Sequence, residues 1–119
     1  MKRRTLRRVR AATAAGHHHN VYVVLLDAGA IRSARSAKAN RNRHKLCVYV
    51  GMTGLNPEER FANHKEGIKA ALAVKRFGIR LLPDLYAHLN PMPYDAAVQM
   101  ELDLAEDLRR AGYTVFGGH

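Results

Sequence analysis

The chain has 119 residues and 47% of them are apolar, which is one domain's worth of sequence with enough oil for an ordinary core. Twenty Lys and Arg face 10 Asp and Glu, a formal net charge of +10. Wholesale disorder is excluded, as is a membrane span, because no apolar run of about 18 residues exists. The single cysteine, Cys47, excludes an internal disulfide and a Cys-rich zinc frame, and it fits a reducing, cytoplasmic setting.

The opening MKRRTLRRVR is basic, and no secretory-type apolar stretch follows it. Residues 1–10 carry six cations, and residues 32–45 carry six more: Arg32, Arg35, Lys38, Arg41, Arg43 and Lys45. From 46 to 119, eight cations face nine carboxylates. The excess charge therefore sits on a lead and a loop attached to a balanced body. Basic arms of this kind suit a polyanion, most often nucleic acid, through phosphate neutralisation and counterion release. Solubilising termini are the plainer alternative.

In chain order, residues 1–19 read as a disordered basic lead ending in His17, His18 and His19. Three adjacent histidines either bind a metal or are a surface accident or cloning remnant. Val21–Leu26 is a β-branched and aromatic run of strand length, stopped at Asp27-Ala28-Gly29. Residues 28–45 lack apolar periodicity and read as a basic inserted loop, with a helical turn near 30–39. Leu46–Val50 is a second strand, the antiparallel neighbour of the first, and Gly51 ends it. Asn56-Pro57-Glu58-Glu59 starts a helix: Asn56 caps the free amides, Pro57 suits the first turn, and Glu59 completes a capping-box-like pair. Gly67 breaks that helix, and 68–77 continues as a second piece up to Gly78. Residues 80–86 make a short edge strand at best, because Pro83 lacks a backbone N–H. Asn90–Pro93 is a rigid connector, 95–110 is helical with Gly112 as its cap, and 113–116 is a terminal strand or an extended tail.

Two helices carry residues out of keeping with their faces. In the last one Ala97, Leu104 and Leu108 share a narrow apolar stripe, and Glu101 falls in its middle. A carboxylate there loses several kcal/mol of hydration unless it is paired or bound to a cation. It is either a semi-buried salt bridge with Arg60, Arg76 or Arg80, or a metal ligand or general base. In the capped helix Pro57, Phe61, His64 and Ile68 share a face, with Arg60 beside it. A lone His on such a face is commonly a satisfied core residue. Next to Arg60 it also brings cationic and proton-transferring groups to one edge, as phosphodiester chemistry requires. Tyr22 and Tyr49, one in each strand, are core aromatics or phenols aimed at the same cluster.

Asn20-Val21-Tyr22 followed by Tyr49-Val50-Gly51-Met52-Thr53 resembles the paired strand motifs of the GIY-YIG nuclease superfamily. Arg60, eleven residues after Tyr49, His64 and the later Glu101 fall in that family's order, and the likeness spans about residues 20–116. The resemblance implies an α+β fold, a small three-stranded antiparallel sheet flanked by helices, over 20–119. It implies metal-dependent endonuclease activity on nucleic acid, DNA rather than RNA, with magnesium or another divalent ion such as manganese held by Glu101. By the same resemblance Tyr22 is the base, assisted by His64, and Tyr49 supports the site. Arg60 binds the scissile phosphate, while Gly51 and Thr53 are supporting residues. The chain departs from the pattern in having Asn20 where Gly is usual, 27 residues between the two tyrosines, no late Asn that can be placed and no separate DNA-binding domain. The basic insertion or a targeting partner then supplies binding. A non-catalytic nucleic-acid-binding module on the same fold is the alternative, and an unrelated small basic protein, such as a ribosome-associated factor, is a third.

Overall fold

The computed structural model describes residues 17–33 and 46–118. The expected disorder of 1–16, and the roles expected of Arg35, Lys38, Arg41, Arg43 and Lys45, fall outside the described residues. The elements are β1 (Asn20–Leu26), a one-turn helix α1 (Gly29–Ser33), β2 (Cys47–Thr53), α2 (Pro57–Glu66), α3 (Leu72–Phe77), β3 (Gly78–Leu81), α4 (Tyr94–Arg110) and β4 (Thr114–Gly117). Two 3₁₀ turns, Pro83–Leu85 and Ala87–Leu89, link β3 to α4.

The class is α+β, as expected, but the sheet is a mixed one of four strands in the order β3-β1-β2-β4. The expected antiparallel trio is present, with β1 between β2 and β3. The correction is β4, which adds to the far edge of β2 in parallel, Cys47 opposite Thr114 and Tyr49 opposite Phe116. Gly112 explains why the tail becomes a strand. At φ +104° it turns the chain directly after α4, a conformation that favours glycine, and the edge of β2 offers unpaired backbone groups to the residues beyond the turn. The edge strand β3 is earlier and shorter than 80–86, because Pro83 starts a 3₁₀ turn.

Val21, Tyr22, Val23 and Val24 are all essentially without exposure, the signature of a strand covered on both faces. This is why β1 reads as an unbroken apolar run. The helix α2 starts as expected: Asn56 Oδ1 accepts from the Glu59 N–H at 2.8 Å. It ends at Gly67 in the left-handed region, φ +84°, so Ile68 leaves the apolar face and is exposed. The second piece starts only at Leu72, since Lys69 also has a positive φ. In α4 the buried stripe is Ala97, Glu101, Leu104, Ala105 and Leu108, as the wheel requires. Among the described residues no helix is long and apolar enough to cross a membrane.

Candidate active site

The register of β1 on β2 sets Tyr22 opposite Gly51 and Val24 opposite Tyr49. Strand alternation puts Tyr22, Tyr49, Gly51 and Thr53 on one face, with the two phenol rings 6.3 Å apart. Gly51 is needed there: a methyl on it would stand 2.6 Å from both Cζ and Oη of Tyr22. Gly117 does the same for Tyr49, since its Cβ would meet the Tyr49 ring at 2.7 Å. Gly117 was not legible as a site residue. Its only signal is a glycine pair after an apolar run.

His64 reaches this face from α2 and has no exposed surface. Its Nε2 lies 2.8 Å from Tyr22 Oη, and its Nδ1 accepts from the backbone N–H of Ala71 at 3.0 Å. A backbone amide only donates, so Nδ1 is the unprotonated nitrogen and Nε2 carries the hydrogen. His64 therefore donates to the Tyr22 oxygen, and the phenolic proton points elsewhere. Burial, with the Arg60 charge second, pushes the imidazole down to about 4, so it is neutral at physiological pH. The Tyr49 ring packs edge-on against His64, centroids 5.8 Å apart.

Arg60, one turn before His64, donates to the carbonyl oxygens of Ile68 at 3.3 Å and Lys69 at 2.8 Å. The loop between α2 and α3 thus holds both residues, the guanidinium through two carbonyls and the imidazole through one amide. Burial raises the Tyr22 phenol well above its ordinary range, Tyr49 and Glu101 raise it further, and Arg60 opposes them through charge and hydrogen bonding. Tyr49 is raised by burial and then by Glu101, again opposed by Arg60. These mutual influences bring Tyr22, Tyr49, Arg60, His64 and Glu101 together in one cluster.

Glu101 is 8% exposed on the buried side of α4. Among the described residues no three His, Cys, Asp or Glu side chains gather as a metal-holding group, and His17, His18 and His19 do not form one. His19 is instead built into the fold by a two-way backbone bridge to Met92. A single buried carboxylate among phenols and a guanidinium fits a hard ion completed by water and phosphate oxygens, as magnesium commonly is. It does not fit a zinc ion, which takes three or four protein ligands.

The remaining expected residues lie elsewhere. Thr53 Oγ1 accepts from the Leu55 N–H at 3.0 Å, so it closes the turn before α2. Asn20 donates to the Leu55 carbonyl at 2.9 Å and ties the same turn to β1. Arg32 is exposed on α1. An apolar hollow of about 370 Å³, lined by Leu25, Leu26, Ile31, Leu46, Cys47 and Ile79 among others, includes none of the cluster. No protein-family model, curated protein or solved structure matches the chain.

Proposed function

We propose that the chain is a metal-dependent endonuclease of the GIY-YIG type, hydrolysing phosphodiester bonds of nucleic acid, DNA rather than RNA, in the cytoplasm. The observation that carries this reading is the convergence of Tyr22, Tyr49, Arg60, His64 and a buried Glu101, drawn from four elements far apart in sequence. A core built for stability alone has little use for a buried carboxylate beside two phenols and an imidazole, because each polar group costs free energy to desolvate.

In this reading Tyr22 takes the proton of the attacking water as phenolate. The His64 Nε2–H donates into the phenolate oxygen and holds the ring in place, while the Arg60 charge favours the ionised form. Water oxygen bonds to phosphorus, the bond to the 3′ oxygen breaks, and that oxygen takes a proton from solvent. Arg60 binds the phosphate and offsets the charge growing on it, and Tyr49 supports the site by packing edge-on against His64. Glu101 would hold a divalent ion, magnesium or manganese, whose chemistry is to polarise the phosphate and stabilise the leaving oxygen.

The test is cleavage of labelled single-stranded, duplex and branched oligonucleotides with magnesium. Glu101→Gln is expected to abolish cleavage while binding persists, and equal activity in that variant ends the reading. The second reading, a non-catalytic nucleic-acid-binding module, draws on Tyr22 being 1% exposed with a phenol held far from ionisation. It requires salt-dependent binding and no turnover on any of these substrates.

A further inference from the structure

The body that looks neutral in sequence is segregated in space. Of the nine Lys and Arg among the described residues, six fall within 60–80 with Glu66 as the sole acid between them, while α4 carries five acids. These six are Arg60, Lys65, Lys69, Lys75, Arg76 and Arg80, and all except the half-buried Arg60 are exposed. The folding of α2 against α3 makes most of them one corner. Arg60 donates to the Lys69 carbonyl, and Lys65 Nζ donates to the Lys75 carbonyl at 3.1 Å and the Gly78 carbonyl at 2.9 Å. A methyl on Gly67 would sit 3.2 Å from Lys75 Nζ. Lys65 is thus spent on closing the end of α3, and Arg60 belongs to the cluster. Lys69, Lys75 and Arg76 remain as the outward cations of this corner, and Arg80 is a fourth exposed cation, on β3.

Two apolar side chains stand among them, Ile68 at 49% exposure and Leu72 at 60%. On α3, Leu72, Lys75 and Arg76 are spaced i, i+3, i+4 and share one exposed face. Exposed cations flanking exposed aliphatic groups match a strand of nucleic acid, whose phosphates alternate with the apolar faces of sugar and base.

We infer that the α2–α3 corner, through Lys69, Lys75 and Arg76 with Ile68 and Leu72 between them, is the surface along which the nucleic-acid backbone leaves the cluster at Arg60. The inference rests on the proposed nuclease reading and deepens it. It moves the main phosphate contacts from the basic insertion to the α2–α3 corner. The acidic α4, on the Glu101 side, repels phosphate and so gives the strand a direction away from that helix.

The test is fluorescence-anisotropy binding of the full chain to labelled single-stranded and duplex oligonucleotides, in chelator, over a range of salt. The triple variant Lys69→Gln, Lys75→Gln, Arg76→Gln is expected to bind at least about tenfold more weakly. Its slope of log affinity against log salt on duplex should fall by about 2–3, near 0.9 for each phosphate no longer neutralised. Arg110→Gln, on α4, is expected to leave the slope unchanged. If the triple variant fails to fold, Arg76→Gln alone should lower the slope by about 1. An unchanged slope in the corner variants, together with its loss when Arg32, Arg35, Lys38, Arg41, Arg43 and Lys45 are all changed to Gln, overturns the inference. So does tighter binding of the wild-type chain to phosphatidylserine vesicles than to either oligonucleotide. Binding in chelator does not depend on cleavage, so an inactive chain that binds through the corner ends the nuclease reading and leaves the surface standing.

Discussion

Both nitrogens of His64 are committed, Nε2 to the Tyr22 oxygen and Nδ1 to the Ala71 amide. Protonating it would break the Ala71 N–H bond at Nδ1 and put a second cation next to Arg60. Its folded value of about 4 lies below the ordinary 6.5, so between these values the unfolded chain takes up a proton that the folded chain refuses. Stability is therefore whole above about pH 6.5 and falls as pH drops to about 4, by about 3 kcal/mol at 1.36 kcal/mol per unit. Urea denaturation at several pH values is expected to show that loss in the wild type and its absence in His64→Gln. For Tyr22 the proposed role as base sets the pH dependence: a phenol raised by burial is ionised, and so able to take a proton, in a fraction that grows as pH rises. Cleavage should increase about tenfold per pH unit through the neutral and mildly alkaline range. Tyr22→Phe should lose about 10²–10⁴-fold in rate and flatten that slope, read from single-turnover rates. Gly51→Ala forces a methyl into the Tyr22 ring and is expected to cost about 1–3 kcal/mol, seen as a lower melting temperature, while displacing the phenol.

At the scale of elements, α2 delivers Arg60 and His64 to the sheet, and its entry is set by Asn56 and the Thr53–Leu55 turn. Removing the cap oxygen in Asn56→Ala leaves the Glu59 N–H to solvent and is expected to cost about 1 kcal/mol, with a small loss of activity, measured by thermal melting and cleavage assay together. The loop from Gly67 to Ala71 matters as much as the helix. Its carbonyls hold the Arg60 fork and its amide sets the His64 tautomer, so Arg60→Lys, which lacks the planar fork, should recover little of the rate lost in Arg60→Ala. Both exchanges are expected to cost only about 1 kcal/mol in melting experiments, because the bonds removed are solvent-exposed.

For the whole molecule, the sheet order puts the two tyrosine strands side by side at the centre, with α4 bringing Glu101 to them and β4 sealing the outer edge of β2. An ion held at Glu101 would couple to the fold as any ligand does. Magnesium at 100 times its dissociation constant is expected to raise stability by about 2.7 kcal/mol, and Glu101→Gln should abolish that rise, measured as a shift in melting temperature. Absence of the shift in the wild type would speak against an ion at this carboxylate.

The two central strands, the capped start of α2 and the misplaced carboxylate of α4 were all legible in the chain. Each is a local pattern: an apolar run, an Asn-Pro-Glu-Glu start, a polar residue on a helical stripe. The cluster's candidate members were legible too, as polar residues out of keeping with their faces and as a resemblance in order and spacing. Features that depend on contacts between separate elements and loops were not. The parallel pairing of β4, the amide of Ala71 that selects the His64 tautomer, the close approach of Gly117 to Tyr49 and the gathering of cations at the α2–α3 corner each need two stretches of chain to meet. Local periodicity encodes which face of an element is buried. It does not encode which neighbour covers that face, because this is decided by the packing of all the elements at once.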